Sequence, residues 1–467
     1  MDVRHVLITQ WRMCQFTGSE MVTLELAEHF AASGAKVTVV VHESGEPVSE
    51  LLSAAGDVHL WSSTDEGLDE HLRADPPDLA WLHHQIIPEF VLSDDFDGHV
   101  VFNHMSAYQP LESALVPEVE RRLATVSVFN SAETLDHLRD SGALDGFDPS
   151  RLRVFPNPAP DDIAEVKPRD RGDGPVRLLL VSNHVPQELS EAVALLPSEV
   201  EIVFVGAQTG KGASPARVDA ELLSTVDGVV SIGKSVQYAI AAGLPVYCYD
   251  RFGGPGWLDL DNVSSARYHN FSGRGFERKD AATIAEELAH GYAGAAESVD
   301  AMRAACGPDL VLGPALDALW EHCEENPRPV PGIDPAARAA QQSVAALGRL
   351  WTTTHARAKR HGTALTKSRS DLARLSDRRR AEDARNAETM ARLRSRHAEQ
   401  LATLRSRHAT KLERRTATIA TLKSRLASTE AELGRLQRSH DRRIMRAAAA
   451  VARLVDALAQ VVRRRPA

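Results

Sequence analysis

The sequence predicts an α/β protein: two doubly wound domains followed by a long α-helical segment. Three observations carry this. Short β-branched runs alternate with amphipathic stretches, the pattern of a parallel sheet covered by helices. The same block recurs after a connector rich in Pro, Asp and Gly. Beyond Pro335 no proline appears until Pro466, and the charge reverses: residues 338–467 hold 31 basic and 11 acidic side chains, whereas the first 337 hold 23 and 53.

In the first domain, residues 1–155, HVLITQ, KVTVVVH, DLAWLHH, HVVFNH and TVSVFN read as strands. A helix is expected from Ser19, its N-cap, because Met21, Leu24, Leu26, Ala27 and Phe30 recur at helical spacing. Gly34 supplies the left-handed residue that ends it. Residues 156–176 form the linker. In the second domain, residues 177–330, the strands are RLLLVS, EIVFVG, GVVSIG and LPVYCYD.

Asp334 and Pro335 mark the start of a helix as N-cap and first-turn residue. Residues 335–440 are expected to form a coiled coil. Leu393, His397, Leu401, Leu404, His408 and Leu412 step by 4, 4, 3, 4 and 4, and Ile419, Leu422, Leu426, Leu433 and Leu436 keep heptad spacing. Such a stripe needs a partner surface, so residues 364–440 are expected to self-associate as a parallel or antiparallel dimer; a solitary charge-stabilised helix is the alternative. Residues 441–467 form a basic helix with an apolar stripe of Ile444, Ala447, Val451, Leu454, Val455, Leu458, Val461 and Val462. This suits peripheral contact with an anionic membrane. It equally suits the end of the coiled coil, or a return onto the acidic part.

Composition excludes several classes. With 43% hydrophobic residues the 467-residue chain is not wholly disordered. No apolar run is long enough to span a bilayer, and the start lacks a signal-peptide core. Cys14, Cys248, Cys306 and Cys323 form no CxxC pair, so neither a zinc site nor a disulfide framework is suggested. A cytoplasmic location is expected, extended by the tail to the inner face of the plasma membrane. Arg outnumbers Lys 45 to 9, which fits a high-GC bacterial source.

Residues 228–235, GVVSIGKS, match the Walker pattern letter for letter. The four residues after the first Gly are Val, Val, Ser and Ile, which read as a strand rather than a phosphate-cradling loop. The turn after that strand remains informative. A helix starting at Ser235 would present backbone N–H groups, with Gly233 and Lys234, to an anion such as a diphosphate; a Gly needed only for a tight turn is the simpler alternative. The loop FTGSE places Gly18, Ser19 and Glu20 at the matching position of the first domain. His83, His84 and His104 end strands, where doubly wound sheets bind ligands, and could orient a hydroxyl or donate to a leaving group.

The phrases TGSEMVTLELAEHFAASGAKVTVV, VSVFNSAETLDHLRDSG with RLRVFPNPAP, and AIAAGLPVYCYDRFGGPGWL resemble the GT-B glycosyltransferases, in particular the retaining, nucleotide-sugar-dependent family 4-like group, over roughly residues 4 to 325. The resemblance implies two Rossmann-like domains, with the acceptor side at Gly18, Ser19, Glu20, His83 and His84. It implies a donor side at Asn183, His184, Gly206, Gly233, Lys234, Ser235, Gln237, Tyr238, Gly253 and Gly254, with His104 and Lys234 as catalytic residues. The pattern departs from the family in two places. SNHVPQEL replaces the Arg- and Lys-bearing loop that holds the donor diphosphate, and Val230 and Tyr238 occupy the positions of the paired glutamates. The implied activity is transfer of a sugar from a nucleotide-sugar co-substrate to a saccharide or lipid-linked saccharide, in cell-surface polysaccharide or glycan synthesis. No cofactor, metal or nucleic acid is expected. The rival is a non-catalytic coiled-coil scaffold or tether carrying a degenerate binding module.

Overall fold

The computed structural model describes residues 3–206, 215–327, 332–394 and 400–463. It divides into two units, 1–345 and 346–467.

The first unit holds two sheets. Strands β1 (His5–Met13), β2 (Lys36–Ser44), β3 (Val58–Ser62), β4 (Leu79–His83), β5 (His99–His104), β6 (Val126–Phe129) and β7 (Leu152–Val154) form one in the order β3-β2-β1-β4-β5-β6-β7. All its pairings are parallel, with His5 opposite Lys36 and Val6 opposite Leu79 on the two sides of β1. Strand order reverses between β1 and β4, so the crevice of this domain lies beyond the ends of those two strands.

The second sheet contains β8 (Val176–Val181), β9 (Val200–Val205), β10 (Gly228–Ser231), β11 (Val246–Asp250) and β12 (Gly253–Trp257), in the order β12-β11-β10-β8-β9. Only β12 runs antiparallel to its neighbour. Its switch point lies between β8 and β10. The first half of the Walker-like match, Gly228–Ser231, is therefore strand β10, fully buried, as its residue types indicate, and its last two residues, Lys234 and Ser235, open the helix that follows.

The helix Gly18–Ala32 buries Met21, Val22, Leu24, Leu26, Ala27 and Phe30 against the first sheet. Its N-cap is Thr17, not Ser19. At the other end Gly34 has φ 88°, and the Ala35 N–H returns to the Phe30 carbonyl at 3.0 Å, the Schellman closure that only a left-handed residue permits cheaply. The interdomain connector leaves β7 at Val154, forms a 3₁₀ turn at Asp161–Glu165 and enters β8 at Val176. Later the chain crosses back: Ala159 pairs with Val311, and the helix Leu312–Glu325 sinks Leu312, Leu316 and Leu319 into the core of the first sheet.

Pro335 opens a 60-residue helix, Pro335–Arg394, whose first turn is capped by Asp334 through the Ala336 N–H at 2.7 Å. Its first turns dock on the N-terminal domain: Ala340 and Val344 join the core there, and the Gln341 amide donates to the Gln85 carbonyl at 3.0 Å. A 64-residue helix, Gln400–Arg463, follows, and side-chain contacts pair the two. Arg379 donates to Thr416 at 2.6 Å, Glu382 meets Lys411 at 3.9 Å and also Arg415, and Arg369 meets Glu430. As one partner's number rises the other's falls, which is antiparallel pairing within one chain. Within one chain the two helices thus give each other a partner surface. Leu372, Leu412, Ile419, Leu422, Leu426 and Leu433 remain half-buried, while Leu375, Leu404 and Leu436 are exposed. His397, and the side chains of most of the apolar stripe between Ile444 and Val462, lie outside the described residues.

Candidate functional site

In the C-terminal domain the ends of β8, β10 and β11 lie side by side. The Ser231 hydroxyl at the end of β10 donates to the Val181 carbonyl at the end of β8, at 2.8 Å. Gly233 then takes φ 61° and ψ −130°, a conformation disfavoured for a residue with a Cβ, and caps the eight-residue helix Lys234–Ala241. A Cβ at Gly233 would meet nothing within 4 Å, so there is open space beside the cap residue. The N–H groups of Lys234 and Ser235, in its first turn, have no preceding carbonyl within the helix to bond. The Gly233 N–H itself donates to the Phe271 carbonyl at 2.8 Å.

Around this opening stand Asn183 and His184, exposed beyond β8, and Arg251 and Phe252, exposed beyond β11. The Arg251 guanidinium lies 4.8 Å from the centre of the Phe252 ring. Gln237 is buried; its Nε2 donates to Asn270 at 3.3 Å, and its Oε1 has no hydrogen-bond partner. Asp250 ends β11 with one carboxylate oxygen buried and unpartnered, and that burial pushes its pKa up.

Several residues read from the sequence as donor contacts are occupied in other ways. Lys234 does not face the opening. Its ammonium points into the seam with the N-terminal domain, 2.7 Å from Glu25 and 3.0 Å from the Pro158 carbonyl, and is only 7% exposed. Burial lowers the Lys234 pKa and raises that of Glu25, with each partner's charge opposing the shift. Tyr238 is likewise buried and donates its hydroxyl to Glu25. Gly206, Gly253 and Gly254 are packing glycines. A Cβ on Gly206 would lie 1.9 Å from the Ser182 carbonyl, and Cβ atoms on Gly253 and Gly254 would lie 2.5 and 2.1 Å from the Glu277 and Cys248 carbonyls. Gly253 and Gly254 form strand β12, not a ligand loop.

On the N-terminal side the pattern is similar. Gly18 has open space around it. Glu20 is fully buried and holds the loop, accepting from the N–H groups of Cys14 and Gln15 at 2.5 and 2.6 Å, and from Arg12 and the Thr17 hydroxyl at 3.0 Å. The Ser19 carbonyl accepts from Gln10 at 2.7 Å. His83 is a core residue: its Nε2 accepts from Trp81 and Asn103 at 2.9 Å, and its Nδ1 faces Thr23 at 3.2 Å. Burial drops its pKa to about 3, so the ring is neutral.

His104 has neither nitrogen available. One bonds the Glu112 carbonyl and the other the Glu120 carboxylate at 2.7 Å, which also accepts from Ser127 at 2.6 Å. Burial pulls the His104 pKa down, but Glu120 outweighs it and leaves it raised. His84 is the one strand-end histidine of the three with an unpartnered nitrogen. At φ 55° just past β4, its Nε2 meets Glu112 at 3.0 Å, while its Nδ1 is buried without a partner.

Apart from Lys234 and Tyr238, the residues that close the two domains on each other escaped the sequence reading. Besides Glu25 with Lys234, Glu28 takes Arg217 in a two-point contact of 2.7 and 2.5 Å. Glu133, in the first turn of the helix Ala132–Asp140, takes Arg274 at 2.5 Å, His269 at 3.0 Å and the Tyr108 hydroxyl at 3.1 Å. Burial works against the Glu133 charge, but Arg274 and His269 hold its pKa below the usual carboxylate range. No local pattern could reveal cross-domain pairs separated by 136 to 213 positions. Beside this seam lies a cavity of about 510 Å³ lined by Glu25, Glu28, Asp161, Asp219, Glu221 and Arg217, among others. Its acidic lining makes it a poor place for a diphosphate.

No family model matches the chain, and no curated protein matches it. Solved structures do. A glycosyltransferase from Rickettsia africae is similar at 12% identity and TM-score 0.46, over 70% of this chain and 99% of that one. MurG of Acinetobacter baumannii is similar at 12% and 0.41, over 69% and 99%. WaaG, a glycosyltransferase involved in lipopolysaccharide biosynthesis, is similar at 16% and 0.42, over 67% and 98%.

Proposed function

We propose that the chain is a glycosyltransferase that binds a nucleotide-sugar at the Gly233 crevice and passes the sugar to a saccharide or lipid-linked saccharide. One observation supports this above the others: a helix N-terminus whose cap residue borders open space lies at the switch point of the second sheet, flanked by the exposed ends of β8 and β11. Backbone N–H groups fixed there would stabilise a diphosphate as it departs with negative charge, without reorganising during the reaction. His84, beside Glu112 on the first domain, is the strand-end histidine that keeps one ring nitrogen unpartnered, and it is assigned to the acceptor side. Lys234 and His104 take supporting roles, through the domain seam and the core beneath the crevice.

The reading extends to cell-surface glycan synthesis, to self-association of the helical unit through its exposed leucines, and to contact of the basic tail with an anionic membrane. Retention of configuration and a hexosyl donor come from the sequence resemblance and not from the geometry. The rival, a binding module carried by a helical tether, draws on one observation: Lys234, at the start of the crevice helix, and Arg274, at the crevice edge, are both paired with glutamates of the first domain. Incubating the full-length protein with a panel of sugar nucleotides separates the two. Transfer or hydrolysis with any donor supports the enzyme. Nucleotide binding without turnover supports the tether, and no binding at all removes the crevice assignment.

A further inference from the structure

Among the described residues, three ion pairs of Lys or Arg with Glu join the N-terminal domain to the C-terminal domain, and all have one polarity. Glu25, Glu28 and Glu133 come from the first domain; Lys234, Arg217 and Arg274 come from the second. The hydroxyl bonds follow suit, Tyr238 donating to Glu25 and Tyr268 to Asp136 at 3.0 Å. The C-terminal domain therefore presents donors and cations across the seam, and the N-terminal domain presents carboxylates.

Arg274 is the informative member. It lies three residues beyond Phe271, whose carbonyl bonds the Gly233 N–H, so it belongs to the loop that edges the crevice. Its guanidinium is 5.8 Å from the Phe252 ring, and Arg251 is 4.8 Å from the same ring, so two guanidiniums flank one aromatic beyond β11. Tyr108 from the first domain lies 4.9 Å from Arg274. Glu133 engages Arg274 through Nε at 3.0 Å and Nη2 at 2.5 Å, the forked contact that a diphosphate oxygen pair would also make. Glu133 is itself held at a helix start capped by Ser131, so the acidic half of the contact is built in advance.

We propose that Glu133 is a built-in counter-anion of the donor face, so that a nucleoside diphosphate and the domain contact compete for Arg274. Arg251 and Arg274 then supply the cationic charge that the Ser182–Leu189 loop lacks. The proposal rests on the reading that the Gly233 crevice takes a nucleoside diphosphate. Its consequence is thermodynamic: apparent affinity is reduced by the fraction of molecules in which Arg274 is already paired, and a bound diphosphate weakens the domain contact by the same factor.

Titration calorimetry on the full-length protein tests it, with uridine diphosphate as probe and inorganic pyrophosphate as a second anion without a base. Glu133→Gln is expected to bind both about tenfold more tightly than the wild type, whereas Glu28→Gln, at the seam pair beside the acidic cavity, is expected to bind them unchanged. Arg274→Ala is expected to lose most of the affinity. Arg274→Ala keeps the test available should Glu133→Gln fold poorly, since it removes the contested cation itself. Wild-type binding with no gain in Glu133→Gln, with an equal gain in Glu28→Gln, or with Arg274→Ala unchanged, overturns the competition while leaving the crevice in place. Failure of every form to bind either anion overturns the crevice reading, and this proposal with it.

Discussion

Replacing Lys234 by Met asks whether its ammonium serves a ligand or the fold. In the structure it is 7% exposed, 2.7 Å from Glu25, and Glu25 is 2% exposed. The variant leaves a buried carboxylate with the Tyr238 hydroxyl as its remaining hydrogen-bond donor. Removing one member of a buried pair costs about 3–5 kcal/mol, because the other charge loses its compensation without regaining water. The unit containing it has 345 residues. At about 2.1 cal/mol/K of unfolding entropy per residue, that cost lowers the midpoint by roughly 4–7 °C. Glu25→Gln should cost a similar amount, and the double variant should recover much of it, since neither charge is then stranded. Scanning calorimetry of the four forms gives the coupling, and nucleotide titration on the same samples gives the functional effect. Melting unchanged in Lys234→Met, together with lost nucleotide affinity, would refute the argument and return Lys234 to the ligand.

Other expectations concern separate parts of the molecule. His83 is neutral in the fold with a pKa of about 3 against 6.5 for an unconstrained ring. The unfolded chain therefore binds more protons as pH falls, and stability should drop by about 3 kcal/mol between pH 6.5 and 4 through this group; urea titrations of wild type and His83→Asn across that range should converge at acid pH. Gly206→Ala and Gly233→Ala should differ sharply. The first forces a Cβ to 1.9 Å from a carbonyl and should abolish folding of the second domain, while the second meets no atom and should cost only about 1–3 kcal/mol of backbone strain. Circular dichroism melts separate them, and equal destabilisation would count against the packing described. In the helical unit, cysteines at Ser376 and Ala420 joined by a short bifunctional reagent should link within one chain. Linked dimers on a denaturing gel would instead favour pairing between copies.

Much of this protein is written locally. β-branched runs such as KVTVVVH, the apolar spacing of Met21, Leu24, Ala27 and Phe30, the left-handed Gly34 and the Asp334-Pro335 start each act over a few residues, so two α/β domains and a long helical segment could be read directly. The strand-to-helix turn at Gly233 was legible for the same reason, since a glycine between an apolar run and an amphipathic stretch has few other uses. What each polar side chain does there was not. Lys234 and His104 carry the right chemistry at the right strand ends, yet Glu25 and Glu120 hold them, and those partners lie 209 and 16 positions away in the chain. The hendecad repeat fixed an apolar stripe, whereas antiparallel return within one chain required that two helices of similar length meet. Local sequence sets dihedral preference and which face is apolar. Only the tertiary structure sets which charges share a low-dielectric seam, because an ion pair depends on distance through space and is indifferent to distance along the chain.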